Sequence, residues 1–253
     1  MRWIDGEFVG GADVVQPGAV VAPFETMAAR AGVVPLWEHH LRRLGAACAR
    51  LRIPFSPSPA LVAAAAELLA RNGHDDDVLR LQVIPGSATP SVVMTTRARG
   101  PQRTVQLLPC IARRPADGPP PDVKATPRTF YDAVLREAQD GGADDGIVLA
   151  DDGALLETAI GNLWLLLDGV WTTPPRDGRI LPGIARGLLL AAMTAAGERV
   201  AERRCDLADL HRATALAVSS AVHGPRAAGL LGQRPVGNPD TVLHRVWQRA
   251  LPR

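Results

Sequence analysis

The sequence predicts a two-domain α/β (α+β) protein, and three observations carry that prediction. The chain has 253 residues, enough for one large domain or two modest ones, each with its own core. Short strand-like apolar runs and amphipathic helical stretches are interspersed along it. Arg113 to Asp122 holds four prolines, Gly118 and two aspartates with little to bury. It reads as a linker between a domain over 1–112 and a domain over 123–253.

Each element follows from local chemistry. Met1 to Val21 alternates apolar pairs with Gly and Pro and reads as strands and turns; Phe24 to Arg30 reads as a strand. Glu38 to Leu51 predicts an amphipathic helix with Leu41, Leu44, Ala47, Cys48 and Leu51 on one face. Pro57 to Asn72 predicts a second helix, stopped at Asn72-Gly73. Val78 to Val83 and Ser91 to Thr96 read as paired strands around Pro85-Gly86, and Thr104 to Leu108 as another strand. Beyond the proline run, Phe130 to Gln139 is helical. Gly146 to Ala150, Asn162 to Leu167 and Val170 to Thr173 are strands. Gly183 to Ala196 is a helix, Ala215 to Ser219 a short strand and Val242 to Leu251 a C-terminal helix. No internal repeat is visible.

Composition narrows the function. Apolar residues make up 47% and charged residues 21%, an ordinary globular balance. A net charge of +2 does not point to nucleic acid. No apolar run reaches the roughly 18 residues of a spanning helix, so no membrane partner is expected. Residues 1–20 lack a signal-peptide layout, and the cytoplasm is the expected location. Cys48, Cys110 and Cys205 are scattered, with no metal-ligand spacing, and read as reduced, mostly buried thiols. Lys and Arg together number 28, yet Lys124 is the only lysine. Arginine stays protonated and cannot act as an amine nucleophile, whereas lysine can form an imine with an aldehyde. The bland alternative is that one lysine survived codon drift by chance.

Several segments resemble, in order, the motifs of the class IV aminotransferases, the fold type IV pyridoxal phosphate (PLP) enzymes. Phe24-Glu25-Thr26 resembles the family's F-E-T strand, and His40-Leu41-Arg42-Arg43-Leu44 its H-x-x-R-L helix. Lys124 stands where the cofactor lysine stands. Leu156 to Trp164 resembles the E-x-x-x-x-N-L-F/W stretch, Thr173-Pro174-Pro175 the T-P-P motif, and Leu181 to Arg186 the L-P-G-I-x-R motif. The resemblance implies a smaller N-terminal α/β domain, a larger C-terminal domain with mixed sheets, a small-molecule substrate, and commonly a homodimer. It implies that Lys124 holds PLP as a Schiff base and shuttles the substrate proton. Glu157 would face the pyridine nitrogen and keep it protonated. Arg43 would grip the phosphate, joined by Gly183, Ile184 and Ala185 at a helix start. His40 reads as a packing or capping residue; Tyr131, the only tyrosine, stands open between a cofactor contact and a core position.

Departures from the pattern bear on the reaction. Ala185 replaces a threonine whose hydroxyl binds phosphate in many relatives. Val21-Ala22 replaces the family's D-G. Ala28 stands where lyase-type relatives often carry a basic residue, and Arg30, two residues on, is a possible substitute. Arg128, four residues after Lys124, and the Ser219 to Gly224 stretch resemble the lyase branch, which converts 4-amino-4-deoxychorismate to 4-aminobenzoate and pyruvate. Arg128, His223, Arg226 and Arg30 are the candidate substrate ligands. The alternatives are an aminotransferase acting on a branched-chain or D-amino acid, or a relative that has lost catalysis.

Overall fold

The computed structural model describes residues 1–11, 20–232 and 240–251. It divides into two compact units: Met1–Pro101 with Val123–Pro127, and Gln102–Asp122 with Arg128–Leu251. In chain order the elements are β1 (Arg2–Ile4), β2 (Glu7–Val9), β3 (Ala22–Ala28), α1 (Trp37–Arg50), α2 (Ala60–Asn72), β4 (Val78–Ile84) and β5 (Ser91–Arg97). The second unit supplies β6 (Val105–Cys110) before the chain returns as β7 (Ala125–Thr126). Then follow α3 (Thr129–Asp140), β8 (Asp145–Leu149), β9 (Leu155–Thr158), β10 (Asn162–Leu167) and β11 (Val170–Thr173). The last are α4 (Ile184–Ala195), β12 (Val200–Glu202), α5 (Leu207–Arg212), β13 (Ala215–Ser220), β14 (Gly224–Leu230) and α6 (Asp240–Ala250).

The first unit is an antiparallel sheet in the order β2-β1-β5-β4-β3-β7 with α1 and α2 packed on it. The helix stripe read from sequence buries Leu44, Ala47 and Cys48, while Leu41 and Leu51 lie partly buried at its edge. Leu61, Ala65, Leu68 and Leu69 of α2 complete the core against Leu79 and Leu81. Gly73, at φ 65°, ends α2 in the left-handed conformation that glycine adopts at no steric cost. The two residues of β7 pair with Ala22 and Pro23, so Lys124 enters this unit on a ladder rather than a loop.

The second unit is a mixed sheet in the order β12-β11-β10-β13-β14-β6-β8-β9. Leu155 of β9 and Leu163, Leu165 and Leu167 of β10 share one core although their strands lie far apart in that order. The sheet therefore curls. A second cluster holds α3 through Phe130, Val134 and Ala138 against Cys110, Val148 and Leu156.

Four sequence expectations are corrected. The division falls after Pro101, not after 112, because Val105–Cys110 pairs with β14 and β8 in the second sheet. The proline run belongs to the second unit, while Val123–Pro127, expected in the C-terminal domain, belongs to the first. Strand β3 stops at Ala28, and Arg30 lies exposed in a tight turn bridged to Val33. The stretch from Gly224, for which the sequence predicts no element, is a strand that pairs on both sides.

The turn between β9 and β10 is tightly packed. A Cβ at Gly161 would sit 2.6 Å from Val218 Cγ1 and 2.8 Å from the Ser219 carbonyl oxygen. Because the latter is backbone, Gly161→Ala should destabilise the protein by about 1–3 kcal/mol, the usual cost of overpacking. Chemical denaturation of the two proteins checks this; equal stability would mean the turn has slack.

Candidate active site

Register decides which side chains share a face. Val123 and Ala125 are buried against Ala47 beside Leu51, so Lys124 between them leaves the opposite face. Its carbonyl accepts the Phe24 N–H at 2.9 Å, and its Nζ lies 4.8 Å from the centre of the Phe24 ring. Arg80 of β4 covers the same ring, its guanidinium carbon 3.7 Å from the centroid. Two cations therefore flank one aromatic ring on one sheet face. Lys124 itself is half-buried.

The other face of β3 carries Glu25, which is 1% exposed. Arg43 donates to it through Nε at 2.8 Å and Nη2 at 2.6 Å, a two-pronged contact, and His40 Nδ1 lies 2.7 Å from Oε2. Burial raises the proton affinity of Glu25, but Arg43 and His40 more than reverse this and bring its pKa down to about 2. Burial holds the His40 imidazole below its ordinary value, so it is neutral and Nδ1 carries the proton given to Glu25. His40 Nε2 is buried without a hydrogen-bond partner. The expected phosphate ligand Arg43 is thus held in orientation by Glu25, and His40 is a packed member of the cluster.

In the second unit Glu157 closes β9, 3% exposed. The Tyr131 hydroxyl donates to its Oε1 at 2.5 Å, Asn162 Nδ2 to Oε2 at 3.3 Å, and the Leu181 N–H lies 3.3 and 3.2 Å from the two oxygens. Arg114 Nη2 donates in turn to the Tyr131 hydroxyl at 2.9 Å. Burial and the neighbouring Glu157 charge push the Tyr131 phenol far up, so it stays protonated and donates. Asn162 also donates to the Leu181 carbonyl at 3.1 Å, and a Cβ at Gly183 would overlap its Oδ1 at 1.8 Å. Gly183 is the N-cap of α4, with no side-chain cap; Ile184 and Ala185 open the helix as the sequence predicts.

The candidate substrate ligands are dispersed. Arg128 is the N-cap of α3, donates to the Ala159 carbonyl at 2.9 Å, and lies 5.2 Å from the Tyr131 ring. After Lys124 the chain runs through β7 and turns helical only at Thr129, so Lys124 and Arg128 do not share a helix face. His223 sits in the β13–β14 turn against Gln102, with Nδ1 at 3.2 Å from Oε1. Arg226 stands opposite Val218 in the ladder, on the face that carries the core of this unit. Its Nε and Nη2 are buried without a hydrogen-bond partner, as is Oδ2 of Asp145, whose pKa burial pushes up to about 6. Arg226 itself is half-buried. Arg30 is exposed in its turn.

Three residues escaped sequence reading. Glu25 was visible as part of a motif without a role. Arg80 could have been found from strand alternation once β3 and β4 were paired, since it stands directly opposite Thr26. Arg114 lies in the proline-rich stretch whose composition suggested a bare linker.

Residues 22–228 match the family model for amino-transferase class IV. A protein of Methanocaldococcus jannaschii, named as a candidate branched-chain-amino-acid aminotransferase, is 26% identical over 241 residues, covering 86% of this chain and 83% of that protein. The solved structure of 4-amino-4-deoxychorismate lyase from Pseudomonas aeruginosa superposes with a TM-score of 0.81 at 26% identity, over 98% of each chain. A hypothetical aminotransferase from Mycobacterium tuberculosis in its PLP-bound form gives a TM-score of 0.86 at 24% identity, over 99% of this chain and 98% of that one.

The Glu25 cluster has a pH signature. Its folded-state pKa lies near 2, below the ordinary 4.5, so its stabilisation is complete above pH 4.5 and is lost as pH falls towards 2. Glu25→Gln leaves Arg43 without its anion and should cost about 3 kcal/mol at pH 7, the scale of a broken buried pair. The difference from wild type should shrink as pH drops below 4.5. Urea unfolding of both proteins at pH 7 and pH 3 measures it; a deficit independent of pH would refute the ionised pairing.

Proposed function

The chain belongs to the class IV aminotransferase family, a family of PLP enzymes, and from that premise we propose that it is a 4-amino-4-deoxychorismate lyase yielding 4-aminobenzoate and pyruvate. The observation that carries the reading is the pairing of Lys124 and Arg80 about Phe24: an amine for the cofactor beside a guanidinium for a substrate carboxylate. The likeness to the Pseudomonas aeruginosa lyase over 98% of the chain supports it, as does Arg128.

The residues present suit PLP. Glu157 is buried among three donors, which favours the ionised carboxylate that a protonated ring nitrogen needs opposite it. The uncapped start of α4 leaves N–H groups for a phosphate. Bound PLP supplies an aldehyde that captures the substrate amine and a ring that accepts electrons. Lys124 Nζ would hold PLP at its aldehyde and serve as the base for the proton on the substrate carbon that bears the amine. It returns a proton to the methylene of the departing enolpyruvyl group, which leaves as pyruvate. Arg43, oriented by Glu25, is the expected phosphate ligand of the first unit, and the N–H groups of Gly183, Ile184 and Ala185 are those of the second. With no hydroxyl at Ala185, Arg43 carries more of that contact. Arg80 and Arg128 hold substrate carboxylates away from the reacting carbon.

A second reading rests on the Methanocaldococcus jannaschii relative: transfer of the amine of a branched-chain or D-amino acid to a 2-oxo acid. It uses the same Lys124, Glu157 and Arg43, and differs only in the substrate groups.

Two outcomes are expected. Borohydride reduction of the purified yellow protein should fix the cofactor on the peptide containing Lys124, the only lysine in the chain; mass spectrometry that finds no adduct there would refute the assignment. Incubation with 4-amino-4-deoxychorismate alone should release 4-aminobenzoate and pyruvate, and Arg80→Met should lower kcat/KM roughly tenfold or more, the loss of about 1.5–3 kcal/mol of charge-assisted bonding. Activity that appears only with an added 2-oxo acid would establish the aminotransferase reading instead.

A further inference from the structure

Arg114 stands outside every motif of the family resemblance, yet it is built into the Glu157 cluster. The Glu137 carboxylate of α3 accepts the N–H groups of Ile111 and Ala112 at 2.8 and 3.1 Å, which fixes the chain leaving β6 along that helix. Two residues on, the Arg114 guanidinium packs over Phe130 at 4.4 Å and Tyr131 at 4.9 Å and donates to the Tyr131 hydroxyl. That hydroxyl donates to Glu157 Oε1 at 2.5 Å. The order is cation, phenol, carboxylate. A phenol whose oxygen accepts from a cation is a stronger donor, since hydrogen bonds in a chain polarise one another. Arg128 lies 5.2 Å from the same ring but spends its Nη2 on Ala159 and pairs with Asp132, so it does not replace Arg114 at the hydroxyl.

We propose that Arg114 is a positioning residue for the reaction: acting through the Tyr131 hydroxyl, it keeps the Glu157 carboxylate ionised and aimed, and so keeps the proton on the cofactor's ring nitrogen. This rests on the reading of Glu157 given above. Without Arg114 the phenol donates more weakly, the carboxylate binds a proton more readily, and the ring nitrogen gives one up.

Because Tyr131 is the only tyrosine, its state can be read without interference from another phenol. In ultraviolet resonance Raman spectra the tyrosine doublet ratio is lowest for a phenol that only donates and rises when its oxygen also accepts. Arg114→Met, which keeps the packing over the two rings, should lower that ratio. In the holoenzyme it should move the cofactor's visible band towards that of Glu157→Gln and lower kcat about tenfold at unchanged KM; Arg114→Lys should restore much of both. In a Tyr131→Phe background, Arg114→Met should shift the band no further. An unchanged doublet ratio in Arg114→Met overturns the contact, and an equal band shift with and without Tyr131 overturns the relay. If the ratio falls but Glu157→Gln leaves the band unmoved, the relay to Glu157 stands and the placement of Glu157 against the ring is what fails.

Discussion

A carboxylate 3% exposed at the end of a strand constrains most of the second unit. Burying an ionised group is costly unless donors replace its water, and Glu157 obtains three from separate segments: the Tyr131 hydroxyl of α3, the Asn162 amide of β10 and the Leu181 N–H before α4. Each donor imposes its own condition. Asn162 must lie one tight turn from Glu157, and only a residue without Cβ fits at Gly161. Leu181 must be held close, and the second bond from Asn162 to its carbonyl does so. The backbone then passes against the Asn162 side chain, which excludes a Cβ at Gly183. The glycine that begins α4 is thus a consequence of the same carboxylate.

The first unit answers the same physical problem differently. Glu25 is as deeply buried, but a full cation balances it, and its pKa falls to about 2. Asp145, buried without a close cation bonded to it, moves the other way, to about 6. Glu157 accepts from three neutral donors, and Arg114 donates to one of them, the Tyr131 hydroxyl. On the reading proposed above, Glu157 balances the charge of a protonated ring nitrogen, a role that a tightly bound arginine would weaken.

Helices were legible in the sequence because their signals are local: the apolar stripe of α1 and the Asn72-Gly73 stop of α2 fall where periodicity and backbone preference put them. The single lysine was legible from composition alone. The division of the chain was not, because it depends on strand pairing between distant segments. Val105–Cys110 precedes the proline run, yet its partners lie at 224–230 and 145–149. A two-residue strand such as Ala125–Thr126 has no periodicity to detect, so Lys124 was placed by its motif and not by its ladder. Gly224-Pro225 carries the composition of a turn while occupying the start of a paired strand, so the ladder that sets Arg226 opposite Val218 was not legible. Short capping chemistry was also passed over: Asp206 and Asp209 form a reciprocal box that starts α5.

Lyase and aminotransferase chemistry draw on the same lysine, ring-facing carboxylate and phosphate grip, so that apparatus cannot separate them. The distinction lies in where the substrate's carboxylate is held. An aminotransferase must seat a carboxylate on the carbon that carries the amine, and must admit a second substrate at the same place. The lyase substrate has no carboxylate there, so its cations belong at a distance from the reacting carbon. Arg80 stands on a paired strand opposite Thr26, its guanidinium over the Phe24 ring that Lys124 also approaches, and on the reading proposed above it is the cation for such a carboxylate. On that reading, a cation held by a paired strand selects for position as well as charge.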